Sequence, residues 1–248
     1  MAADAEVLRS KALNAQASSA PEQMPTPVAF QDAVRIQEAI TAKLERRALA
    51  WLAQRMPSWV KPDHLTLLGI VAMFLAGASY ALARWDRVGL ILATVCLALN
   101  WFGDSLDGTL ARVRNRLRPR YGFYVDHVTD ALGGLFLMGG LALSGFVDGR
   151  IALGMFIGFL LLSIESYLAA YTLGQFHLSC GKFGPTEIRI LLAMGNVALW
   201  IHPDARVAGT AYRLFDVGGV VAIVGMIVML VVLTVRRTMV LYREETLD

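Results

Sequence analysis

The sequence predicts an all-α integral membrane protein: six transmembrane helices preceded by an amphipathic interfacial helix. Three observations carry that expectation. Of 248 residues, 56% are hydrophobic and only 17% charged, against about 45–50% and about 25% in soluble domains. The mean hydropathy is +0.53, and the apolar residues gather in blocks near the roughly 20 residues a helix needs to cross a bilayer. Lysine and arginine collect in alternate loops. A formal charge of +3 is too small to suggest a nucleic-acid partner. Two cysteines, Cys96 and Cys180, offer neither a disulfide framework nor metal-ligand spacing.

Residues 1–28 are rich in Ala, Ser, Gln and Pro without apolar periodicity, and read as a disordered tail. The first thirty residues show no apolar core or cleavage site of a secretory signal. An amphipathic juxtamembrane helix is expected within 29–60. Ile36, Ile40, Leu44, Ala48, Trp51 and Leu52 recur there at three- and four-residue steps, with Arg35, Glu38, Glu45 and Arg46 largely on other faces. Such a helix either packs on a partner or lies in the headgroup plane, with Lys43, Arg46, Arg47 and Arg55 near anionic lipid. A span following within ten residues favours the second.

A transmembrane domain over 61–240 holds spans at about 64–83, 88–111, 123–146, 151–173, 187–201 and 215–235, the fifth being short. Pro62 suits a helix start. Asp148-Gly149-Arg150 is a tight turn that makes spans three and four antiparallel neighbours. Residues 241–248 form a tail. Lys43, Arg46, Arg47, Arg55 and Lys61 precede span one, and Arg112, Arg114, Arg116, Arg118 and Arg120 fill the loop after span two. Lys182 follows span four, and Arg236, Arg237 and Arg243 follow span six. The other side holds Arg84, Arg87, Arg150, Arg206 and Arg213. Both termini and the arginine-rich loop are therefore expected in the cytoplasm, in what reads as a bacterial inner membrane.

Four aspartates break the apolar pattern where spans two and three meet the cytoplasmic surface. Asp104 and Asp107 are i, i+3; Asp126 and Asp130 are i, i+4; each pair shares one helix face. The two helices run in opposite directions from one loop, so the pairs can face each other. Each ionised acid costs about 2.5–3.5 kcal/mol at a helix centre on insertion scales. Helix capping or pairing with nearby arginines explains one such acid better than four. Oxygen-only ligands suit Mg²⁺ or Mn²⁺. Four carboxylates suffice for two ions that clamp a phosphoryl group undergoing in-line displacement. Gly108 and Ala111 remove bulk beside the acids, and Gly122 does so at the start of span three. Arg112 offers a planar fork to a phosphate, whereas Arg114 and Arg116 are accounted for by orientation alone.

The pattern Asp104-x-x-Asp107-Gly108-x-x-Ala111-Arg112, nine residues, Gly122-x-x-x-Asp126-x-x-x-Asp130 resembles the signature of the CDP-alcohol phosphotransferase (phosphatidyltransferase) family, matching every fixed position. The resemblance covers about residues 35–240. It implies an intramembrane di-metal enzyme, a homodimer, that transfers a substituted phosphate from a CDP-linked donor to an acceptor hydroxyl and releases CMP. It further implies Asp104, Asp107, Asp126 and Asp130 as metal ligands, with Asp130 also the catalytic base. Gly108, Ala111, Arg112 and Gly122 fall at its nucleotide-contacting positions. Metal-bound carboxylates hold protons weakly, so ligation is the firmer of the two roles for Asp130.

Glu165, Ser166, Tyr167, Tyr171, Thr172, Lys182, Thr186, Glu187, Arg189 and Asn196 either line an acceptor pocket or snorkel and cap helices. His127 points off the aspartate face and reads as a supporting group. Gly133, Gly134, Gly139, Gly140 and Ser144 suit span three to close packing, within the chain or across a dimer. Asp126-His127 and Gly184-Pro185-Thr186-Glu187 are similar to the choline- and ethanolamine-phosphotransferase branch. That places a small CDP-alcohol with a lipid hydroxyl acceptor ahead of CDP-diacylglycerol with a polar alcohol. Other classes explain less. A cation transporter wants acids at mid-membrane and on both sides, and a scaffold has no use for four.

Overall fold

The computed structural model describes residues 34–36, 42–173, 175–177, 185–207 and 209–245. The expected tail over 1–28, Cys180, Lys182 and Gly184 lie outside the described residues. Strand β1 (Val34–Ile36) precedes helix α1 (Ala42–Arg55), so the amphipathic helix begins later than its periodicity suggested. There follow α2 (Pro62–Leu82), α3 (Val88–Val113), α4 (Pro119–Ser144) and α5 (Gly149–Leu173). Next come strand β2 (Gln175–His177), α6 (Pro185–Ile201), strands β3 (Asp204–Val207) and β4 (Thr210–Arg213), and α7 (Leu214–Glu244).

The helix ends follow local chemistry. Pro62 and Pro119 open α2 and α4, where the missing N–H has no intrahelical partner to lose. Asn115, at a left-handed φ of 53°, turns the chain out of α3. Arg116 N donates to Ala111 O at 2.8 Å and Asn115 N to Arg112 O at 3.1 Å, which satisfies two terminal carbonyls. Gly145, at φ 78°, ends α4 in the same conformation. The Asp148 carboxylate then accepts from Arg150 N at 2.8 Å and caps α5.

Among the described residues, five helices are long and apolar enough to cross a membrane: α2, α3, α4, α5 and α7. The chain is thus a helical integral membrane protein, although α6, the expected fifth span, has only 17 residues. The all-helical expectation also missed two small ribbons. β1 pairs in parallel with β2, and β3 pairs with β4 in a hairpin closed by Gly209 at φ 86°.

Close backbone contact organises the bundle. A Cβ at Gly77 would fall well inside 3.0 Å of Phe136 O, and one at Gly140 would strike Gly77 O, so α2 and α4 cross there with almost no side chain between them. A Cβ at Gly103 would meet Leu65 O at 2.6 Å and Gly69 N at 2.8 Å, which brings α2 equally close to α3 beside Asp104. Tyr80, Leu90, Leu97, Leu141 and Leu199 fill the core at the opposite end of these helices. Gly154, Gly158 and Gly219 make room for Ile223, Met226 and Ile151 between α5 and α7, which Glu165 and Arg237 also join by an ion pair. The remaining faces of α5 and α7 expose Leu153, Ile157, Val221, Val224 and Val228, a surface suited to lipid.

Two polar ties hold α6. The Tyr80 hydroxyl donates to Asn196 Oδ1 at 2.9 Å, and Asn196 Nδ2 donates to Thr94 Oγ1 at 3.0 Å, fastening α6 to α2 and α3. Tyr80→Phe removes the donor and leaves the buried Asn196 carbonyl short of a partner. It is expected to cost about 1 kcal/mol, read as earlier thermal unfolding in detergent. On α1, Leu49 and Ala53 are buried against Leu65, Leu106 and Leu110, while Trp51 and the Arg46–Arg47 pair face outward. The face that packs on the protein's own α2 and α3 is thus that of Leu49 and Ala53; of the stripe read from the sequence, Leu52 borders this core while Ala48 and Trp51 are exposed.

Candidate active site

Asp104 and Asp107 lie in the C-terminal part of α3, and Asp126 and Asp130 in the N-terminal part of α4. The Schellman-like turn at Asn115 reverses the chain between them, so the two acidic faces meet at one end of the bundle. Asp104, Asp107 and Asp130 line a small open pocket together with Thr66, Asn100, Thr129 and Arg189. Asp126 is not in that lining, yet its charge acts on both Asp107 and Asp130. The charges of Asp104, Asp107 and Arg189 also act on Asp130. All four aspartates thus belong to one electrostatic cluster.

Asp104 and Asp107 are each held by named neighbours. Thr66 Oγ1 donates to Asp107 Oδ2 at 2.7 Å, and Gly108 N donates to Asp107 Oδ1 at 2.5 Å. Arg189 Nη2 pairs with Asp104 Oδ2 at 2.6 Å, while its Nε donates to Asn100 Oδ1 at 2.8 Å. Asn100 Nδ2 in turn donates to Gly69 O at 3.0 Å. Three of these partners carried no prominent sequence signal or an ambiguous one. Thr66 resembles any polar residue near a helix start. Asn100 stands one turn before Asp104 on the same face, a periodicity that would have found it. Arg189 was a candidate among many.

The positions beside the acids are open. A Cβ at Gly122 would meet nothing within 4 Å, and one at Gly108 only Arg112 Nη2 at 4.0 Å. Ala111 is buried, and Arg112 is exposed one turn beyond Gly108. Arg114 serves another purpose. It donates to Met56 O at 3.0 Å, to Pro57 O at 2.8 Å and to Val60 O, tying the α3–α4 loop to the α1–α2 connection. Arg118 pairs with Asp63 across the same surface. His127 stacks near Phe123 at 4.0 Å and Tyr167 at 4.5 Å, and bonds Phe123 O through Nδ1. Tyr167 lies within electrostatic reach of Asp126 and Asp130.

On α1, Glu45 Oε1 accepts from Trp101 Nε1 at 2.8 Å, Thr186 Oγ1 at 2.9 Å and Ser105 Oγ at 3.3 Å. It joins α1, α3 and α6 immediately beside Asp104.

The donor set around the cavity is oxygen-rich and hard, which fits a divalent cation of the Mg²⁺ type better than a thiophilic metal. Among the described residues, no three His, Cys, Asp or Glu side chains stand ready around one ion position. The carboxylates of Asp104 and Asp107 are turned to Arg189 and Thr66 instead.

Five membrane-length helices with four acids gathered at one end make this an integral membrane protein with an acidic site. The chain belongs to the CDP-alcohol phosphatidyltransferase family, whose model matches residues 59–235. It is 31% identical to an archaetidylinositol phosphate synthase of Pyrococcus horikoshii over 46% of this chain and 53% of the relative. It is 31% identical to one of Methanothermobacter thermautotrophicus over 64% of this chain and 76% of the relative. It is also 29% identical to a human cholinephosphotransferase over 60% of this chain and 40% of that protein. The chain thus spans about half the length of the first and less of the human relative.

Proposed function

We propose that this protein transfers a substituted phosphate group from a CDP-linked donor to an acceptor hydroxyl and releases CMP, in the synthesis of a phospholipid. The observation that carries the reading is the convergence of three family-pattern aspartates, Asp104, Asp107 and Asp130, on one pocket, with the charge of the fourth, Asp126, acting on Asp107 and Asp130. Asp104, Asp107, Asp126 and Asp130 are the groups to hold two divalent ions, Mg²⁺ or Mn²⁺, which when bound supply charge neutralisation for the donor pyrophosphate. The open positions at Gly108 and Gly122, with Ala111, admit the nucleotide, and the exposed Arg112 meets its phosphate. The acceptor oxygen attacks the phosphorus distal to cytidine, the bond to CMP breaks, and Asp130 takes the acceptor's proton.

The first substrate reading is a small CDP-alcohol with a lipid hydroxyl, supported by Asp126-His127 and by the similarity to a cholinephosphotransferase. The second is a lipid-bearing CDP donor with a small polar alcohol, favoured by the two archaetidylinositol phosphate synthases. Purified protein is given CDP-choline or CDP-ethanolamine with diacylglycerol, and CDP-diacylglycerol with serine, inositol or their phosphates. CMP release that needs Mg²⁺ or Mn²⁺ and stops with chelator is expected in one arm. No CMP from any donor, with ion flux in its place, would return the protein to the transporter class. Asp130→Asn is expected to lower the rate far more than it weakens donor binding. Equal loss of both would leave Asp130 a ligand only.

The active site is proposed to face the cytoplasm of a bacterial inner membrane, on the strength of the arginines from Arg112 to Arg120. In a background lacking Cys96 and Cys180, a cysteine at Arg116 should label from the cytoplasmic side only. One at Asp204 should label from outside, and the reverse pattern would invert the topology.

A further inference from the structure

We infer that Arg189 is a built-in counter-ion that competes with a divalent cation for Asp104, so that loading of the acid cluster is an exchange between guanidinium and metal. This rests on the two-ion reading above. Arg189 Nη2 lies 2.6 Å from Asp104 Oδ2, on one of the oxygens a cation would use. One carboxylate oxygen cannot give its full charge to two cations at once. The pair is mostly shielded from water, with side-chain exposures of 16% for Arg189 and 27% for Asp104, so solvent screens the competition only in part.

The guanidinium is anchored independently of the aspartate. Its Nε donates to Asn100 Oδ1 at 2.8 Å, and Asn100 is itself fixed on Gly69 O. The helix that carries Arg189 is pinned on both sides of it. Thr186 donates to Glu45 about one turn before, and Asn196 is bonded to Tyr80 and Thr94 about two turns after. Arg189 therefore stays beside the cluster when Asp104 turns to another partner, and its charge acts on Asp130 as well. A permanent positive charge in that place lowers the cluster's affinity for a second cation. It also keeps four neighbouring acids tolerable in an apolar bundle before an ion arrives.

The test is a titration of full-length purified protein in detergent with Mn²⁺, reading free Mn²⁺ by electron paramagnetic resonance without nucleotide. Arg189→Gln, whose amide can still bond Asn100, is expected to bind Mn²⁺ about tenfold more tightly than wild type, the gain from removing one nearby charge. Arg189→Lys keeps a cation but loses the fork that spans Asn100 and Asp104, and is expected to bind with intermediate affinity. It keeps the inference testable should the glutamine variant fail to fold. In an Asp104→Asn background the gain from Arg189→Gln should shrink. Mn²⁺ bound by wild type with equal or weaker binding in both Arg189 variants would overturn the exchange and leave the two-ion reading standing. Mn²⁺ bound by none of the proteins would overturn both.

Discussion

Asp107→Asn is expected to lower CMP release by at least about a hundredfold, the scale seen when one group of a pre-arranged electrostatic site is removed. The substitution preserves shape. Gly108 N still finds an oxygen at the position of Oδ1, and the Thr66 hydroxyl, which now donates to Oδ2, can rotate to accept from the new amide. What disappears is the negative charge. Helix content and elution behaviour should therefore match wild type while turnover is lost. Asp104→Asn and Asp126→Asn are expected to do the same. Full activity in any of the three would remove the di-metal assignment, because Asp104, Asp107 and Asp126 have no other shared purpose at one end of the bundle.

The second large effect concerns stability and separates two adjacent glycines. Gly140→Ala places a methyl group against Gly77 O, well inside the 3.0 Å that real Cβ atoms respect, whereas Gly139→Ala meets nothing within 4 Å. Overpacking against movable side chains costs about 1–3 kcal/mol. Here the obstacle is backbone, which has no rotamer to change, so Gly140→Ala should cost about 3 kcal/mol or more. Gly139→Ala should be nearly neutral. The displaced α2 and α4 carry Thr66 and Asp130, so Gly140→Ala should depress activity along with unfolding temperature. Equal unfolding temperatures for the two variants would mean that α2 and α4 do not cross at Gly140.

The contrast between those glycines shows where sequence reading stops. Gly133, Gly134, Gly139 and Gly140 announce close packing, but nothing local says which meets backbone. In the structure Gly140 meets Gly77, Gly134 meets the rings of Phe156 and Phe159, and Gly139 meets nothing within 4 Å. The same holds for α6. Its hydropathy and length predict a short span, and its polar residues fit either a pocket lining or snorkelling. Glu187 and Asn196 are in fact buried, and Arg189 reaches Asp104. On α1 the periodicity picked out Ala48 and Trp51, which are exposed, whereas Leu49 and Ala53, on another face, pack on Leu106 and Leu110.

By itself the sequence determined the class of the protein, the boundaries of most membrane helices and the four aspartates with their open neighbours. These depend on hydropathy, helical period and spacing within one turn or across one short loop, all of which are local. Only the tertiary structure decided the partners: Thr66 on Asp107, Arg189 on both Asp104 and Asn100, Glu45 across three helices. Those contacts join residues on different helices, and they follow from how closely α2 approaches α3 at Gly103 and α4 at Gly140. Interhelical distance is a property of the whole packed bundle, and no periodicity within a single helix encodes it.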